Sequence, residues 1–459
     1  MRVKLQFMLS KFGIAWMFAL VTINYNRVAI YDLGISAALV ATMIGLYPFF
    51  GPLQPLFGRV TSRYPILGYR RSPYLLLGML AGSLVFPPLP AVTRAIAGGS
   101  AGAVALGFGL FFVFGASIAL MANTYLDLVA ECTTEATRGG VFAAAWTGQT
   151  AIIVVWALIF RALMPTYSPA AMQLLYNLTP PLVMALALLS VLGLERRLAP
   201  GELARLRAAE AAAADAGALR ASLDLLLPNP AARRFFTFIA LSFLGIFLTD
   251  TLQEVAGGEL FGMSVGETTV FQQIFNGTVT VGMALAAIFG ARLAGAQPGA
   301  DGRRPAMPAL PLPLKRRVAT IGGAGATAGL LLLALASALG ARWLVNPAWA
   351  ITGLCVGLFT MAAVTMMSEM TVAGQTGRYL GLWSLAQAIG LGSSFILSGL
   401  LHDAIIRSGL LAAPAGYAAI FGIEAACMVA CLLALRGASV DELRRGARAP
   451  ASTAAAVAL

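Results

Sequence analysis

The chain has 459 residues, of which 59% are hydrophobic and only 11% charged, and its mean hydropathy is +0.83. Soluble proteins are rarely so apolar, so this length is better explained by about a dozen membrane helices of ~20 residues each than by several soluble domains. The net charge of +12 does not require a nucleic-acid partner, because the basic residues concentrate on one predicted side of the membrane.

Twelve apolar segments follow one another along the chain and predict an all-α integral membrane protein. Their approximate bounds are 11–31, 37–58, 73–93, 101–126, 139–163, 172–194, 234–256, 268–291, 318–340, 348–370, 379–402 and 415–435. The longest interruption divides them six and six. We therefore expect an N-terminal half at 1–194, a central cytoplasmic loop at 195–233, a C-terminal half at 234–436 and a disordered tail at 437–459.

The distribution of lysine and arginine predicts the orientation. The loops on the same side as the N-terminus hold 26 of the 31 basic residues, and cytoplasmic loops are the ones in which these residues are enriched. Both termini are therefore predicted to be cytoplasmic. A basic cytoplasmic face also suits the anionic headgroups of membrane lipids.

The two halves carry similar sequences at corresponding places. YDLGISAALVA at 31–41 is echoed by ELFGMSVGETT at 259–269, and PLFGRV at 55–60 by AIFGAR at 287–292. The pairs occur in the same order and at nearly the same offset. This pattern is typical of two homologous, pseudo-symmetric six-helix halves.

The seventh segment continues into FLTDTLQEVAGGELFGMSVGET and carries Asp250 and Glu254, one helical turn apart on the same face. A carboxylate at the centre of a bilayer costs about 2.5–3.5 kcal/mol. These two must therefore be protonated, paired, interfacial or facing a polar cavity. An interfacial pair that meets water and a cavity-lining ligand site are both compatible with the sequence.

The internal echo supplies a partner for these acids. Aligning Ser36 with Ser264 places Asn26 opposite Glu254, with Arg27 next to it. We therefore predict an ion pair between the halves, from Arg27 to Glu254 or Asp250.

A second charged cluster lies at the cytoplasmic end of the fourth segment, in LDLVAECTTEATRGG. Its acids recur every four residues and face one side of a helix. With arginines of the second cytoplasmic loop they predict a charge latch between helices, composed of Asp127, Glu131, Arg138, Arg70 and Arg71.

Three further polar residues lie in apolar segments. Glu369 is a single acid in the tenth segment, and Glu424 lies midway along the twelfth, where a proton or substrate role and a hydrogen bond to a neighbouring helix are both open. His402 ends the eleventh and is either an interfacial histidine or a ligand to a pigment metal. No nucleotide-binding loop or HExxH motif occurs, so we do not expect an enzyme.

Several of these stretches together resemble the PucC/LhaA family, the bacteriochlorophyll delivery branch of the major facilitator superfamily. They are NRVAIYDLGISAALVA, GYRRSPYLLLG, LDLVAECTTEATRGG and DTLQEVAGGELFGMSVGETT. The resemblance covers about residues 12 to 436. In the family pattern, Glu is followed by proline and an aromatic residue before Gly-Gly; here Val255 and Ala256 replace them, which indicates a divergent member.

The resemblance implies a function in the assembly of light-harvesting antenna complexes. The expected cargo is bacteriochlorophyll, with carotenoid or lipid as further ligands and magnesium present only within the pigment. The expected partners are the antenna alpha and beta polypeptides and the reaction centre–core antenna complex, in the photosynthetic inner membrane of a bacterium. The candidate pigment contacts are Glu254, Asp250, His402, Gln253 and Asn26.

Two other functions compete with antenna assembly. A proton-coupled secondary transporter of a small solute would use the buried acids for coupling. A structural subunit of a photosynthetic supercomplex would associate permanently with its partners.

Overall fold

A computed structural model of the chain describes residues 2–199, 201–202, 226, 230–293, 312–370 and 376–437. Most of the predicted central loop and nearly all of the predicted tail lie outside these residues. The described part is almost entirely helical, as expected in a bilayer, where the backbone must satisfy its own hydrogen bonds.

The N-terminal half contains nine α-helices. They are α1 (Arg2–Ala19), α2 (Ala37–Ile44), α3 (Gln54–Arg63), α4 (Ser72–Leu84), α5 (Leu89–Ala97), α6 (Ala101–Cys132), α7 (Glu135–Leu163), α8 (Pro169–Asn177) and α9 (Thr179–Val191). Two π-helical segments, Leu20–Tyr25 and Val28–Asp32, extend α1, and the 3-10 helix Tyr47–Leu53 joins α2 to α3.

The described residues of the C-terminal half contain seven α-helices. They are α10 (Pro230–Phe247), α11 (Gln253–Phe261), α12 (Val265–Leu293), α13 (Leu312–Leu339), α14 (Arg342–Met370), α15 (Thr376–His402) and α16 (Ala413–Gly437). A π-helical turn, Asp403–Arg407, follows α15.

The described helices do not show twelve equally clear membrane spans. Nine helices of the described chain are long and apolar enough to cross a membrane, and a tenth is counted if the bent pair 37–53 and 56–63 forms one span. The remaining predicted spans, 234–256 and 268–291, fall on α10–α11, which is interrupted, and on α12, which carries Gln272, Gln273 and Asn276. The chain is a multi-pass membrane protein, but length and composition alone do not confirm the count of twelve.

Each half packs as its own helical bundle, and the bundles meet along two seams. In one seam α2 and the 3-10 helix pack on α15; in the other, α7 packs on α12. Within the C-terminal bundle α14 packs closely on both α12 and α13. Glycines allow this closeness, because a Cβ atom on Gly282 of α12 would press into the backbone oxygen of Leu354 on α14.

The echoed stretches adopt the same local conformation. Gly34 and Gly262 both have positive φ angles, +66° and +60°, a conformation that glycine adopts without steric cost. Two residues later a serine begins the next helix: the Ser36 hydroxyl accepts from the Leu39 amide, and the Ser264 hydroxyl from the Glu267 amide. The shared turn supports the prediction of two related halves.

The helices define two ends of the molecule. α1, α10 and α16 have their terminal residues Arg2, Pro230 and Gly437 at one end, called here the terminal end. At the other end α15 finishes at His402 beside α2 and α11.

Candidate functional site

The candidate site is built around an interruption in the first helix of the C-terminal half. α10 stops at Phe247 and α11 begins at Gln253, with a turn between them. The alignment of Ser36 with Ser264 places this turn opposite the π-helical segment Leu20–Tyr25 of the first helix. Irregular backbone at membrane depth is tolerated where protein or a cavity satisfies its polar groups, so both halves have an irregular helix where they meet.

Glu254, in the first turn of α11, is the most enclosed acid of the site. Its side chain is 0% exposed, and neither carboxylate oxygen has a hydrogen-bond partner in the part of the chain that the structure describes. The Asn26 amide and the Arg27 guanidinium lie within electrostatic range. A buried charge without hydrogen bonds is costly, so this carboxyl has unused capacity to bind a proton or a ligand.

Arg27 is buried between the halves, but its ion-pair partner differs from the prediction. Its guanidinium bonds Asp32 at 2.9 Å and donates to the backbone oxygen of Met263 at 2.9 Å. It also lies over the ring of Tyr31, 3.8 Å from the centroid. Among the described ion pairs none joins Arg27 to Glu254 or Asp250. Arg27 does connect the halves, through a carbonyl of the C-terminal half.

The other predicted contacts near Glu254 lie around the same interruption. The Asn26 amide donates to the backbone oxygen of Thr251 at 2.9 Å and is itself fully buried. Asp250 accepts from Gln272 at 3.3 Å and from Gln253 at 3.4 Å. The structure thus brings Asn26, Asp250 and Gln253 to one polar region with Glu254.

His402, the last residue of α15, lies beside Glu259 of α11. The two belong to a network that we call the clasp, formed by Ser36, Glu259, His402, Asp403 and Tyr417. One ring nitrogen of His402 is 3.2 Å from Glu259 and the other 3.2 Å from Asp403. Tyr417 donates to Glu259 at 2.9 Å. Both nitrogens therefore face carboxylates, which leaves neither open to a pigment magnesium in this conformation.

Asp403 extends the clasp into the N-terminal half. It accepts the hydroxyl of Ser36 and the backbone amides of Ala37 and Ala38 at 3.2 and 3.1 Å. A carboxylate is stabilised at a helix N-terminus, because the first amides there lack partners within the helix. The clasp therefore fastens α2 to α15 at the end opposite the terminal end.

Glu424 on α16 has a local partner at the interruption. Its carboxylate accepts from the Thr249 hydroxyl at 2.6 Å and is 1% exposed. Of the two roles left open for Glu424, the structure shows the hydrogen bond to a neighbouring helix. The side chain of Glu369 lies outside those that the structure describes.

The predicted latch residues that the structure describes are in contact. Arg71, a buried residue, bonds Asp127 at 2.8 Å and Glu131 at 2.9 Å, and also donates to Thr61 and Ser62. Arg70 approaches Glu131 at 3.7 Å. The side chain of Arg138 lies outside the described part.

Sequence reasoning missed a residue that completes this cluster. Glu195 accepts from the backbone amides of Arg70, Arg71 and Ser72 at 2.6–3.0 Å, and so caps the start of α4. The sequence does show an acid directly after the sixth apolar segment. Its distance along the chain from Arg70–Ser72, however, gave no reason to predict a contact with the second cytoplasmic loop.

Replacing Arg71 by alanine should destabilise the N-terminal half. The change removes two ion pairs, but both carboxylates are about one-third exposed (34 and 35%), so we expect a loss of about 1–3 kcal/mol rather than that of a fully buried pair. Thermal unfolding of the purified protein in detergent measures it. Arg71→Lys keeps the charge without the planar fork and should recover part of the loss; an Arg71→Ala variant as stable as the wild type would contradict the latch.

Glu267 lies just before the predicted span 268–291 and closes the first turn of α12. The Ser264 amide donates to it at 2.8 Å and Arg342 at 2.8 Å, so these hydrogen bonds hold the pKa of the Glu267 carboxyl below its usual value. The carboxyl therefore stays ionised at neutral pH. Its contribution to the stability of the folded state is lost only as the pH falls through that lowered pKa.

A small cavity lies between the halves, on the terminal-end side of the clasp. Its volume is about 220 Å³, and residues of both halves line it, among them Phe18, Tyr47, Gln54, Ser384, Gln387 and Leu391. Pockets for drug-sized ligands measure about 300–1,000 Å³. This cavity is large enough for water or a small solute, but too small for the ring of a bacteriochlorophyll.

Comparison with solved structures shows the fold. The chain is similar to the peptide transporter POT in complex with sulfate (TM-score 0.64, 14% identity, 96% of this chain and 94% of that one). It is also similar to the nucleoside transporter NupG (TM-score 0.63, 15% identity, 95% and 99%). Together with the two bundles, these matches establish the major facilitator architecture that the sequence predicts.

Comparison with known relatives and with a family model shows the family. "Protein PucC" of Rhodobacter capsulatus is 25% identical over 444 residues, 92% of this chain and 88% of the relative. The "Bacteriochlorophyll synthase 44.5 kDa chain" of the same species is 27% identical over 433 residues, 92% of each. The model of the family described as "PUCC protein" matches residues 24–304 and 306–442. This chain, with its interrupted seventh segment and its clasped halves, belongs to the PUCC protein family.

Proposed function

We propose that this protein is a non-enzymatic assembly factor for bacterial light-harvesting antenna complexes. It binds bacteriochlorophyll and delivers it to the antenna polypeptides, or chaperones those polypeptides in the membrane. The observation that carries the proposal is the family match over residues 24–304 and 306–442. The name of one relative, a chain of bacteriochlorophyll synthase, supports a connection with the pigment.

The residues of the interruption fit the pigment chemically but not sterically in this conformation. Glu254 offers two carboxylate oxygens that accept no hydrogen bond from the described residues, and magnesium prefers oxygen ligands. However, Glu254 is fully enclosed, and the cavity of about 220 Å³ between the halves is too small for the ring. Contact between Glu254 and a pigment therefore requires the halves to separate, and the clasp is what must open.

The remaining partners are proposed on the same basis. Antenna alpha and beta polypeptides, with the reaction centre–core antenna complex, would approach through the lipid-facing surface. Phe112 on α6 and Trp343 on α14 are examples of large apolar side chains exposed there, at 59% and 76%. Lipid also covers such a surface, so the partners rest on the family relationship. The proposed location is the photosynthetic inner membrane, with both termini cytoplasmic.

The roles of Glu254 and Glu424 can be separated in a phototrophic bacterium that lacks its own relative of this chain. The wild-type protein should restore antenna absorption in the near infrared. Glu254→Gln should lower it several-fold at an unchanged protein level, because an amide is a weaker magnesium ligand and carries no charge. Glu424→Gln is the matched control, since its amide oxygen can still accept from Thr249.

Two outcomes would contradict this assignment. If Glu254→Gln restores absorption as fully as the wild type, Glu254 is not a pigment contact. If Glu424→Gln abolishes antenna formation while Glu254→Gln does not, the acid that matters is the one bonded to Thr249.

A proton-coupled transporter of a small solute remains the second candidate. It is favoured by one observation: two acids, Asp250 and the fully buried Glu424, lie at the interruption between α10 and α11. Such a protein would show solute uptake driven by a proton gradient, and Glu424→Gln would abolish it. Uptake that does not depend on the gradient would exclude this function.

A further inference from the structure

The terminal end of the C-terminal bundle carries an unusual concentration of arginine. The last turn of α16 lies against the first turns of α10 and α13. There the Arg316 guanidinium donates to the backbone oxygens of Leu435 and Arg436 at 2.7 and 3.1 Å. A cation is stabilised at a helix C-terminus, where carbonyls lack partners within the helix. Arg316 therefore fixes the end of α16 and positions the residues around it.

Two open grooves flank this turn of α16. The first, about 400 Å³, lies between α13 and α16 and is lined by Arg316, Arg317, Thr320, Ile321, Leu435 and Arg436. The second, about 480 Å³, lies between α10 and α16 and is lined by Pro230, Arg233, Arg234, Thr237 and Ala434. None of the described residues that line either groove is acidic.

The position of the grooves points to a membrane ligand. The apolar spans of α13 and α16 begin at Leu314 and end at Arg436, so the arginines lie at the depth of the lipid headgroups. Towards the membrane centre the first groove has an apolar wall, because Ile321 is 66% exposed on α13. A ligand here meets guanidinium groups at one end and an apolar surface at the other.

We propose that the two grooves are specific sites for the phosphate headgroups of anionic phospholipids, with the acyl chains lying along α13 and α16. Guanidinium groups bind phosphate through paired hydrogen bonds, and basic pockets between membrane helices suit such headgroups. Bound lipid would tie the starts of α10 and α13 to the end of α16. The proposal does not depend on what the protein delivers or transports.

Native mass spectrometry of the full-length protein tests the proposal. Detergent-purified protein is incubated with phosphatidylglycerol or, separately, with phosphatidylcholine. Arg317→Gln/Arg436→Gln and Arg233→Gln/Arg234→Gln should each weaken phosphatidylglycerol binding at the altered groove roughly 30-fold, given about 1 kcal/mol for each of the two basic residues removed. Arg316 is left intact because it caps α16. The matched control is Arg59→Gln/Arg63→Gln, which removes the same charge from the terminal end of the other half.

The variants must first melt at the wild-type temperature, which shows that they are folded; the binding results then test the two lipid sites. Selective loss of phosphatidylglycerol from the groove variants supports the sites. Three results would overturn them: an equal loss of phosphatidylglycerol from the control, no loss from the groove variants, or wild-type protein that binds phosphatidylcholine as tightly as phosphatidylglycerol. Inorganic phosphate is tested alone in a parallel experiment: if it binds as tightly as phosphatidylglycerol and displaces it, the grooves take free phosphate and the lipid assignment is wrong.

Discussion

Replacing Arg27 by alanine will lower the free energy of unfolding by about 3–5 kcal/mol, the cost of removing one partner of a buried ion pair. Arg27 is 1% exposed and bonds Asp32 and the backbone oxygen of Met263. Without it, Asp32 loses its counter-ion and the Met263 oxygen loses its donor. Thermal or denaturant unfolding in a mild detergent measures the change, and Arg27→Lys should recover only part of it, because a lysine cannot reproduce the fork geometry.

Double-mutant cycles identify the true partner of Arg27. Combining Arg27→Ala with Asp32→Asn should give a coupling energy at the upper end of the usual range of about 0.5–3 kcal/mol. Combining Arg27→Ala with Glu254→Gln should give a smaller one, since no ion pair joins those side chains. Coupling of Arg27 with Glu254 that exceeds its coupling with Asp32 would restore the pairing predicted from the sequence.

Replacing Gly282 by alanine will destabilise the C-terminal bundle by about 1–3 kcal/mol or more. An added Cβ would press into the backbone oxygen of Leu354 on α14, with Gly357 behind it. A backbone oxygen cannot move aside as a side chain can, so α12 and α14 must separate. This cost exceeds the gain of up to about 1 kcal/mol that alanine brings to a helix.

Gly277, on the same helix, provides the matched control. Nothing lies within 4 Å of a Cβ added there, so Gly277→Ala should leave the melting temperature unchanged or raise it slightly. If the two substitutions lower the melting temperature equally, the loss arises from the helix itself and not from close packing.

The sequence predicts the architecture well because its signals are local. Apolar segments mark the helices, and the echo around Ser36 and Ser264 is reproduced by two equivalent turns with Gly34 and Gly262 at positive φ. The latch acids Asp127 and Glu131 could be placed on one face by helical spacing, and the structure puts Arg71 against both.

The partner of Arg27 was not predictable from the usual helical spacing. An α-helix brings residues three and four apart together, whereas Asp32 follows Arg27 by five positions. The π-helical segment Val28–Asp32 brings these two side chains together, since its turns are wider. Nothing in the residue types of this stretch marks a π-helix.

The clasp was missed for a different reason. Its bonds join residues far apart in the chain, such as Ser36 with Asp403 and Glu259 with His402. A histidine at the end of an apolar segment is equally compatible with an interfacial position and with a role as a metal ligand. Only the packing of α15 against α2 and α11 shows that both ring nitrogens of His402 lie against carboxylates.

The most direct test is to purify the protein from its native membrane in mild detergent, record the near-infrared spectrum and identify every polypeptide that co-elutes. The assembly function predicts bound bacteriochlorophyll together with antenna alpha or beta polypeptides, in amounts below one per protein if the contact is transient. A colourless protein without any antenna polypeptide, isolated from cells that are actively making antenna, would contradict it.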